Sequence, residues 1–375
     1  MKLLCLYQVM FQYRVGTYEA IAKLPSVDFE LWHGKDVLNS KLKNYKGEVN
    51  FKHRCLPSCR LPIKTNNGSS SQPFFPFLFL RLAIYNPDVI LAEGASSFFS
   101  LSVASLYSHL FKKKLILWSM GALAGREYKG IRGAVQRWLR RIERNADALF
   151  VYSTQAESYF INEGVSQEKI FKAINVIDTN SKLADIQRQG VIRKAPGFNV
   201  AFVGAIAKTK RLELLINAVV RLRNKHDDVV LHIIGDGEYL QVIKEYTFSL
   251  GLDDAVVFHG RVTEGLNVLL SRYQVLALPG LGGLAIVDGM ISSLPIIAGM
   301  ADGTEKDLVD ENNGFVTDAM TEDFMYAKLS LLYDNPNLIK RLGDNSFLKI
   351  TRDYSFGNYI SVFRKCLNSV SSNEK

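Results

Sequence analysis

From Phe198 to Gly299, apolar runs of strand length alternate with stretches of helical periodicity, and this rhythm restricts the fold more than any other feature. The strand runs are Phe198–Gly204, Val229–Gly235, Val256–Gly260, Val275–Pro279 and Pro295–Gly299. Helical patterns at Leu212–Arg223 and Glu264–Tyr273 separate them, with a further helix after Thr304. Strands alternating with helices predict an α/β unit with a parallel, doubly wound sheet. Ligands on such sheets bind beyond the carboxyl ends of the strands. Gly204, Gly235, Gly260 and Gly280 fall at those ends, which implies one shared wall of a binding cleft.

The first half repeats the pattern less regularly. Strands are expected at Leu3–Tyr7, Asp28–Trp32, Val89–Ala92, Leu115–Trp118 and Ala148–Tyr152. The stretch Thr65–Pro73 reads as a flexible loop by composition. With 375 residues the chain is long enough for two cores. The expected layout is a first Rossmann-like domain over 1–178, a connection over 179–197, a second such domain over 198–353 and a C-terminal segment over 354–375.

The bulk numbers narrow the class. An apolar fraction of 47% and a charged fraction of 22% suit an ordinary globular protein. Cys5, Cys55, Cys59 and Cys366 make no disulfide framework, so a reducing, cytoplasmic setting is expected. The N-terminus reads as a first strand, because no small-residue cleavage site follows its apolar run. No run approaches the roughly 20 apolar residues of a spanning helix. The net charge of +9 suits nucleic acid, an anionic membrane surface or phosphate-bearing substrates.

The chemistry concentrates around PGLGGLAIVDGMISSLPIIAG, Pro279–Gly299. A helix opening on Gly280, Gly282 and Gly283 would point unpaired N–H groups at an anion. Asp288, read as a turn and a half into that helix, is placed to accept bonds from vicinal hydroxyls. A phosphate and a diol together describe a nucleotide. The alternative for Asp288 is a surface helix acid. Lys208, Lys210 and Arg211 follow the strand ending at Gly204, where cations would neutralise a diphosphate leaving group without a metal. Their plainer reading is a solvated loop.

Other candidates are weaker. The absence of Asp-x-Asp gives no sign of a carboxylate-held metal. His53, Cys55 and Cys59 in HRCLPSC offer three zinc ligands without an evident fourth. His232 and His259 sit in strand patterns and read as satisfied core or rim histidines. Asn175 and Asp178 read as a turn-capping pair. Gly125–Ala146 carries seven Lys/Arg against two Glu, with Ile131, Val135, Trp138 and Ile142 on one apolar face. That basic helix either docks on its own domain with a solvated basic face, or that face rests on anionic lipid or guides a lipid-diphosphate acceptor, with Lys112–Lys114 in support. Nucleic acid is not expected, because the aromatics do not interleave with the charges.

Together these residues resemble a GT-B glycosyltransferase, similar to the large retaining family 4. The matching set is VGAIAKTKRLELLINA, LHIIGDGEYL, VVFHGRV, the Pro279–Gly299 stretch and DGTEKDLVDENNGFV. NPDVILAEG, LWSMGA, VYSTQAE, NVIDT and YRVGTYEAIAKL resemble the family in the first half. The resemblance implies two Rossmann-like domains facing a central cleft and a nucleoside-diphosphate sugar as donor substrate. It implies no cofactor and no metal.

By the resemblance Lys210 and Arg211 would be catalytic, and Gly204, Gly280, Gly282, Gly283, Arg261 and Asp288 would bind the donor. Tyr13, Arg14 and Gly16 would line the opposite wall. The chain departs from the family at three positions. Gly280 replaces a sugar-contacting Glu, with the amides of Gly282 and Gly283 standing in, Ala205 replaces an Arg, and Met120 replaces a His.

The resulting expectation is a sugar transferase with a lipid-linked or polysaccharide acceptor at the cytoplasmic membrane face. A non-catalytic GT-B binding subunit of a glycan-assembly complex is the rival. A nucleotide-sugar epimerase is a third reading.

Overall fold

Apolar runs become parallel strands in the computed structural model, which describes residues 1–37, 42–65, 68–94, 97–121, 130–190, 194–252, 254–280, 282–301 and 303–371. The chain divides into two units, Met1–Ile177 with Gly357–Lys375, and Asp178–Phe356.

The first unit runs β1 (Lys2–Tyr7), α1 (Val15–Ala22), β2 (Asp28–His33), β3 (Lys52–Cys55), β4 (Cys59–Thr65), β5 (Gly68–Phe74), α2 (Leu78–Tyr85) and β6 (Val89–Glu93). It continues through α3 (Phe98–Leu110), β7 (Lys114–Ser119), α4 (Gly130–Asn145), β8 (Ala148–Val151), α5 (Thr154–Asn162) and β9 (Ile170–Lys172). Seven strands form one sheet in the order β3-β2-β1-β6-β7-β8-β9, and every neighbouring pair is parallel.

Strand side chains alternate between two layers. Leu4, Leu6, Ile90, Leu117 and Leu149 face a core shared with Leu82 of α2, Leu101 and Ala104 of α3, and Leu139 and Ile142 of α4. Thr65–Pro73, expected as a flexible loop, mostly lies in β5, which pairs antiparallel with β4 from Cys59↔Phe74 to Thr65↔Gly68. A serine-rich strand held by backbone bonds carries no apolar alternation to announce it.

The second unit holds α6 (Thr179–Gln189), β10 (Phe198–Val203), α7 (Leu212–Arg223), β11 (Val229–Ile234), α8 (Leu240–Ser249), β12 (Val256–Gly260), α9 (Leu266–Leu270) and β13 (Val275–Leu278). It ends with α10 (Ala285–Ile291), β14 (Ile296–Gly299), α11 (Thr304–Leu308), β15 (Gly314–Thr317), α12 (Glu322–Tyr333) and α13 (Pro336–Arg352). Its parallel sheet has the order β12-β11-β10-β13-β14-β15. The order reverses at β10, so the switch point lies between β10 and β13. Rossmann-like topology is thus present twice.

Residues 179–197, expected as a connection, open with helix α6, and these residues belong to the second unit. The Asp178 carboxylate accepts from the amides of Asn180 (3.0 Å) and Ser181 (3.4 Å), which starts the helix inside a polar sequence. The expected C-terminal segment forms α14 (Phe356–Ser371), which packs on the first sheet. There Tyr359 and Phe363 meet Phe150 edge-on at 5.3 and 5.2 Å between ring centroids. Among the described residues, no helix is long and apolar enough to cross a membrane.

Candidate functional site

The second unit gathers its chemistry at the switch point. Strand β10 ends at Val203, and Gly204 follows with φ +150°, a conformation that side-chain-bearing residues rarely adopt. A side chain on Gly204 would stand 3.9 Å from the Lys210 Nζ, so the lysine folds back over the end of the strand. Lys208–Lys210 makes one tight helical turn, closed by Lys210 N–H donating to Ala207 O at 2.8 Å. At the end of β13, Gly280 lets this turn approach, because a Cβ there would lie 2.7 Å from Lys210 Cα. The structure therefore brings Gly204, Lys210 and Gly280 together.

The glycines at the strand ends need a corrected explanation. A Cβ on Gly235 would run into the carbonyl oxygen of Gly204, and one on Gly237 into that of Ile206. These glycines, like Gly280, permit backbone to pack on backbone. Gly260 and Gly283 alone among the strand-end and turn glycines discussed have open space where a side chain would be.

Arg211 turns away from this group. It adopts φ +52°, and its guanidinium donates to Met320 O at 3.0 Å. Arg261 follows Gly260 as an exposed residue, and no described contact ties it to Lys210 or Asp288.

Helix α10 begins at Ala285, after the glycines, so Asp288 lies in its first turn rather than a turn and a half inside. Its side chain is only 10% exposed, a position where a carboxylate needs a partner. Lys182 of α6 supplies it, donating to Asp288 Oδ1 at 2.7 Å and to Asn267 Oδ1 at 3.3 Å. Asn267 Nδ2 and Ser292 Oγ both donate to the Asp288 carbonyl, at 3.0 and 2.8 Å. Sequence reasoning missed Lys182, because it sits 106 positions from its partner in a stretch read as a linker. Glu305 was missed as well. It is fully buried, its Oε2 accepts from Gly303 N at 3.1 Å, and its Oε1 lies 3.3 Å from where a Gly282 side chain would begin.

The histidines are partnered, as expected. His232 Nε2 donates to Asn199 Oδ1 (2.9 Å), leaving its Nδ1 to accept from His259 Nε2 (3.0 Å). Burial beside His259 pulls the His232 pKa down to about 4.

In the first unit Arg14, expected on the opposite wall of the cleft, is buried. It is 4% exposed, donates to the Tyr152 hydroxyl at 3.2 Å and lies 3.9 Å above the Trp118 ring. An aromatic box holds its charge. Gly16 is the second residue of α1, and Tyr13 is exposed and stacked on Phe11 at 5.2 Å.

One further feature of this unit differs from expectation. The inward face of α4 is Val135, Leu139, Ile142 and Ala146, while Trp138 is turned outward. The side chain of Ile131 lies outside the described residues. Glu143 of the same helix is buried, and burial pushes its pKa up to about 7 although Ser119 Oγ donates to it at 2.8 Å.

Comparison with known proteins gives this geometry a context. Residues 185–348 match the family model of glycosyl transferases group 1. The GDP-mannose-dependent alpha-(1-6)-phosphatidylinositol monomannoside mannosyltransferase of Mycolicibacterium smegmatis is 24% identical over 220 residues, 55% of this chain and 58% of the relative. The poly(ribitol-phosphate) alpha-N-acetylglucosaminyltransferase of Staphylococcus aureus is 24% identical over 64% of this chain and 48% of its own length. The chain thus spans about half the length of these two relatives. Anabaena HepE, solved in complex with UDP, superposes with a TM-score of 0.73 at 18% identity over 99% of this chain and 100% of that one. The two parallel-sheet Rossmann-like units are those of the GT-B fold.

Proposed function

We propose that this chain, whose second unit carries the glycosyl transferases group 1 match, is a GT-B glycosyltransferase. In this reading it moves a sugar from a nucleoside-diphosphate sugar to a lipid-linked or glycan acceptor, with retention. The observation that carries the reading is Lys210 folded over Gly204 at the switch point of the second sheet. As the bond from sugar C1 to the diphosphate oxygen breaks, negative charge grows on the leaving group. A fixed ammonium there lowers the barrier rather than merely tightening binding. The acceptor hydroxyl oxygen bonds to C1 and its proton leaves with the diphosphate.

Asp288, with one carboxylate oxygen taken by Lys182, would offer the other to the ribose hydroxyls. Lys210 supplies the positive charge, so the reading calls for no metal. The acceptor class is supported by the relatives, whose names specify a phosphatidylinositol mannoside and a poly(ribitol-phosphate). Such acceptors fit a peripheral position at the inner face of a membrane.

One observation favours the rival, a non-catalytic GT-B binding subunit. Gly280 carries no side chain where the family has a sugar-contacting Glu, and the Lys210 turn occupies the space a side chain would need. A thermal-shift panel of UDP, GDP, ADP and CMP separates the readings. Ligand at 100 times its dissociation constant stabilises a fold by about 2.7 kcal/mol. A shift with one nucleotide, lost in Asp288→Ala, supports the transferase. No shift with any nucleotide favours the binding subunit. Turnover of the donor sugar without acceptor would identify an epimerase.

A further inference from the structure

Three of the helices that cover one face of the first sheet, α2, α3 and α4, carry an unexpected outer surface. Their inward residues are accounted for by the core. Facing outward are Phe77 and Ile84 at the two ends of α2, which are 74% and 77% exposed. Leu80 on α2, Leu106 and Leu110 on α3, and Trp138 on α4 are exposed as well. A helix facing only water would place polar side chains at such positions.

The three helices lie side by side. Phe79 of α2 packs on Tyr107 of α3 with ring centroids 5.9 Å apart. Trp138 Nε1 of α4 donates to Ser102 Oγ of α3 at 2.9 Å, one turn before Leu106.

The charges are one-sided. Helices α2, α3 and α4 carry Arg81 and five arginines of α4 against a single carboxyl, Glu143, which is buried. Arg137 and Arg141 are exposed one turn apart, and Lys112 is exposed just past α3. Apolar side chains interspersed with cations, and no exposed carboxylate on these helices, complement a surface that is apolar inside and anionic outside. A second copy of this chain would instead set cation against cation.

We propose that the outer face of α2, α3 and α4 docks on an anionic lipid bilayer. Phe77, Leu80, Ile84 and Leu110 enter the headgroup–acyl boundary, and Arg137, Arg141 and Lys112 meet lipid phosphates. The chain lies on the membrane through this face rather than crossing it. The inference extends the lipid-linked acceptor reading above, but it draws on the first unit alone and is independent of the donor assignment.

The test is co-sedimentation of the full chain with vesicles of phosphatidylcholine alone or mixed with phosphatidylglycerol, at low and high salt. We expect binding only to the anionic vesicles, weakening with salt. Arg137→Gln with Arg141→Gln should weaken it about tenfold or more. Leu80→Ser with Ile84→Ser should do likewise through lost apolar burial. Both variants should keep the wild-type melting temperature and any nucleotide-induced shift, so a failure here is distinct from a failure of the donor site. Absence of binding to anionic vesicles at low salt overturns the proposal, as does equal binding by all three proteins. A wild-type dimer that the variants dissociate, without vesicle binding, would assign the face to a second copy and also overturn it.

Discussion

Lys182 of α6 reaches Asp288 of α10 at 2.7 Å, and the two side chains are 26% and 10% exposed. The carboxylate presented at the second unit's site is therefore held by a cation outside the sheet motif. Lys182→Met leaves that carboxylate buried without its counter-charge. We expect a loss of about 2 kcal/mol in chemical denaturation. A nucleotide shift that depends on Asp288 should shrink as well. Lys182→Arg should restore much of both, and a variant with unchanged stability and nucleotide response would show that the pair is incidental.

Lys210 and Gly280 are coupled by packing, which separates two effects. Lys210→Ala should lower transfer rate about 10²-fold or more while the melting temperature stays near that of the wild type. Gly280→Ala should lower both, because the added methyl displaces the Lys208–Lys210 turn. Steady-state kinetics beside thermal melts check this. An active Lys210→Ala enzyme would remove the lysine from the mechanism.

What the sequence made legible follows from where burial sets the pattern. Helix α7 has the expected bounds and strand β10 starts at the expected Phe198, because a helix with a wide apolar stripe and a strand covered on both faces write their period into the chain. Strand β3 is exposed throughout and β4–β5 is a hairpin of polar composition, so neither left such a trace. In the candidate site, the proximity of Lys210, Gly204 and Gly280 was legible because they lie at or just after strand ends, where chain order and spatial order coincide. Lys182 and the burial of Arg14 depend on long-range packing, which no local spacing encodes. The glycines were read as space for a ligand, but at Gly235 and Gly280 that space is filled by neighbouring backbone.

Arg14 gives a prediction opposite in kind to that of Lys210. Its guanidinium is enclosed by Trp118, Tyr7 and Tyr152, with 3.9 Å to the indole. Arg14→Met should destabilise the first unit by about 2 kcal/mol through lost cation–π and hydrogen-bond contacts. The nucleotide response of the second unit should not change. Differential scanning calorimetry with and without nucleotide tests both halves, and a lost nucleotide response in a stably folded variant would return Arg14 to the binding site.

His232 ties stability to acid. Its ordinary pKa of 6.5 falls to about 4 in the fold, so the unfolded chain binds more protons between those values. Stability should therefore be fully present above pH 6.5 and decline as the pH falls toward 4. The neighbours are His259, also lowered by burial, and Tyr273, stacked on His232 at 4.1 Å. His232→Gln should flatten this part of the profile in urea denaturation at stepped pH, whereas an unchanged slope would locate the acid sensitivity elsewhere.

Glu143 has the opposite sign. Burial raises its pKa from 4.5 to about 7, so the fold favours the protonated carboxyl. Its contribution is complete below pH 4.5 and is lost as the pH rises through 7. The carboxyl lies beneath Gly94 and Ser119, with its Oε1 2.7 Å from where a Gly94 side chain would begin, so water cannot readily solvate an ionised form there. Ser119 Oγ donates to Glu143 and also accepts from Gly121 N at 3.1 Å, which carries the strain of ionisation into the turn after β7. Glu143→Gln keeps a neutral group of the same shape. It should therefore gain stability over the wild type as the pH is raised from 5 to 8, by up to about 3 kcal/mol. Denaturant melts of both proteins across that range measure the difference, and a constant offset would show that Glu143 stays in one protonation state throughout.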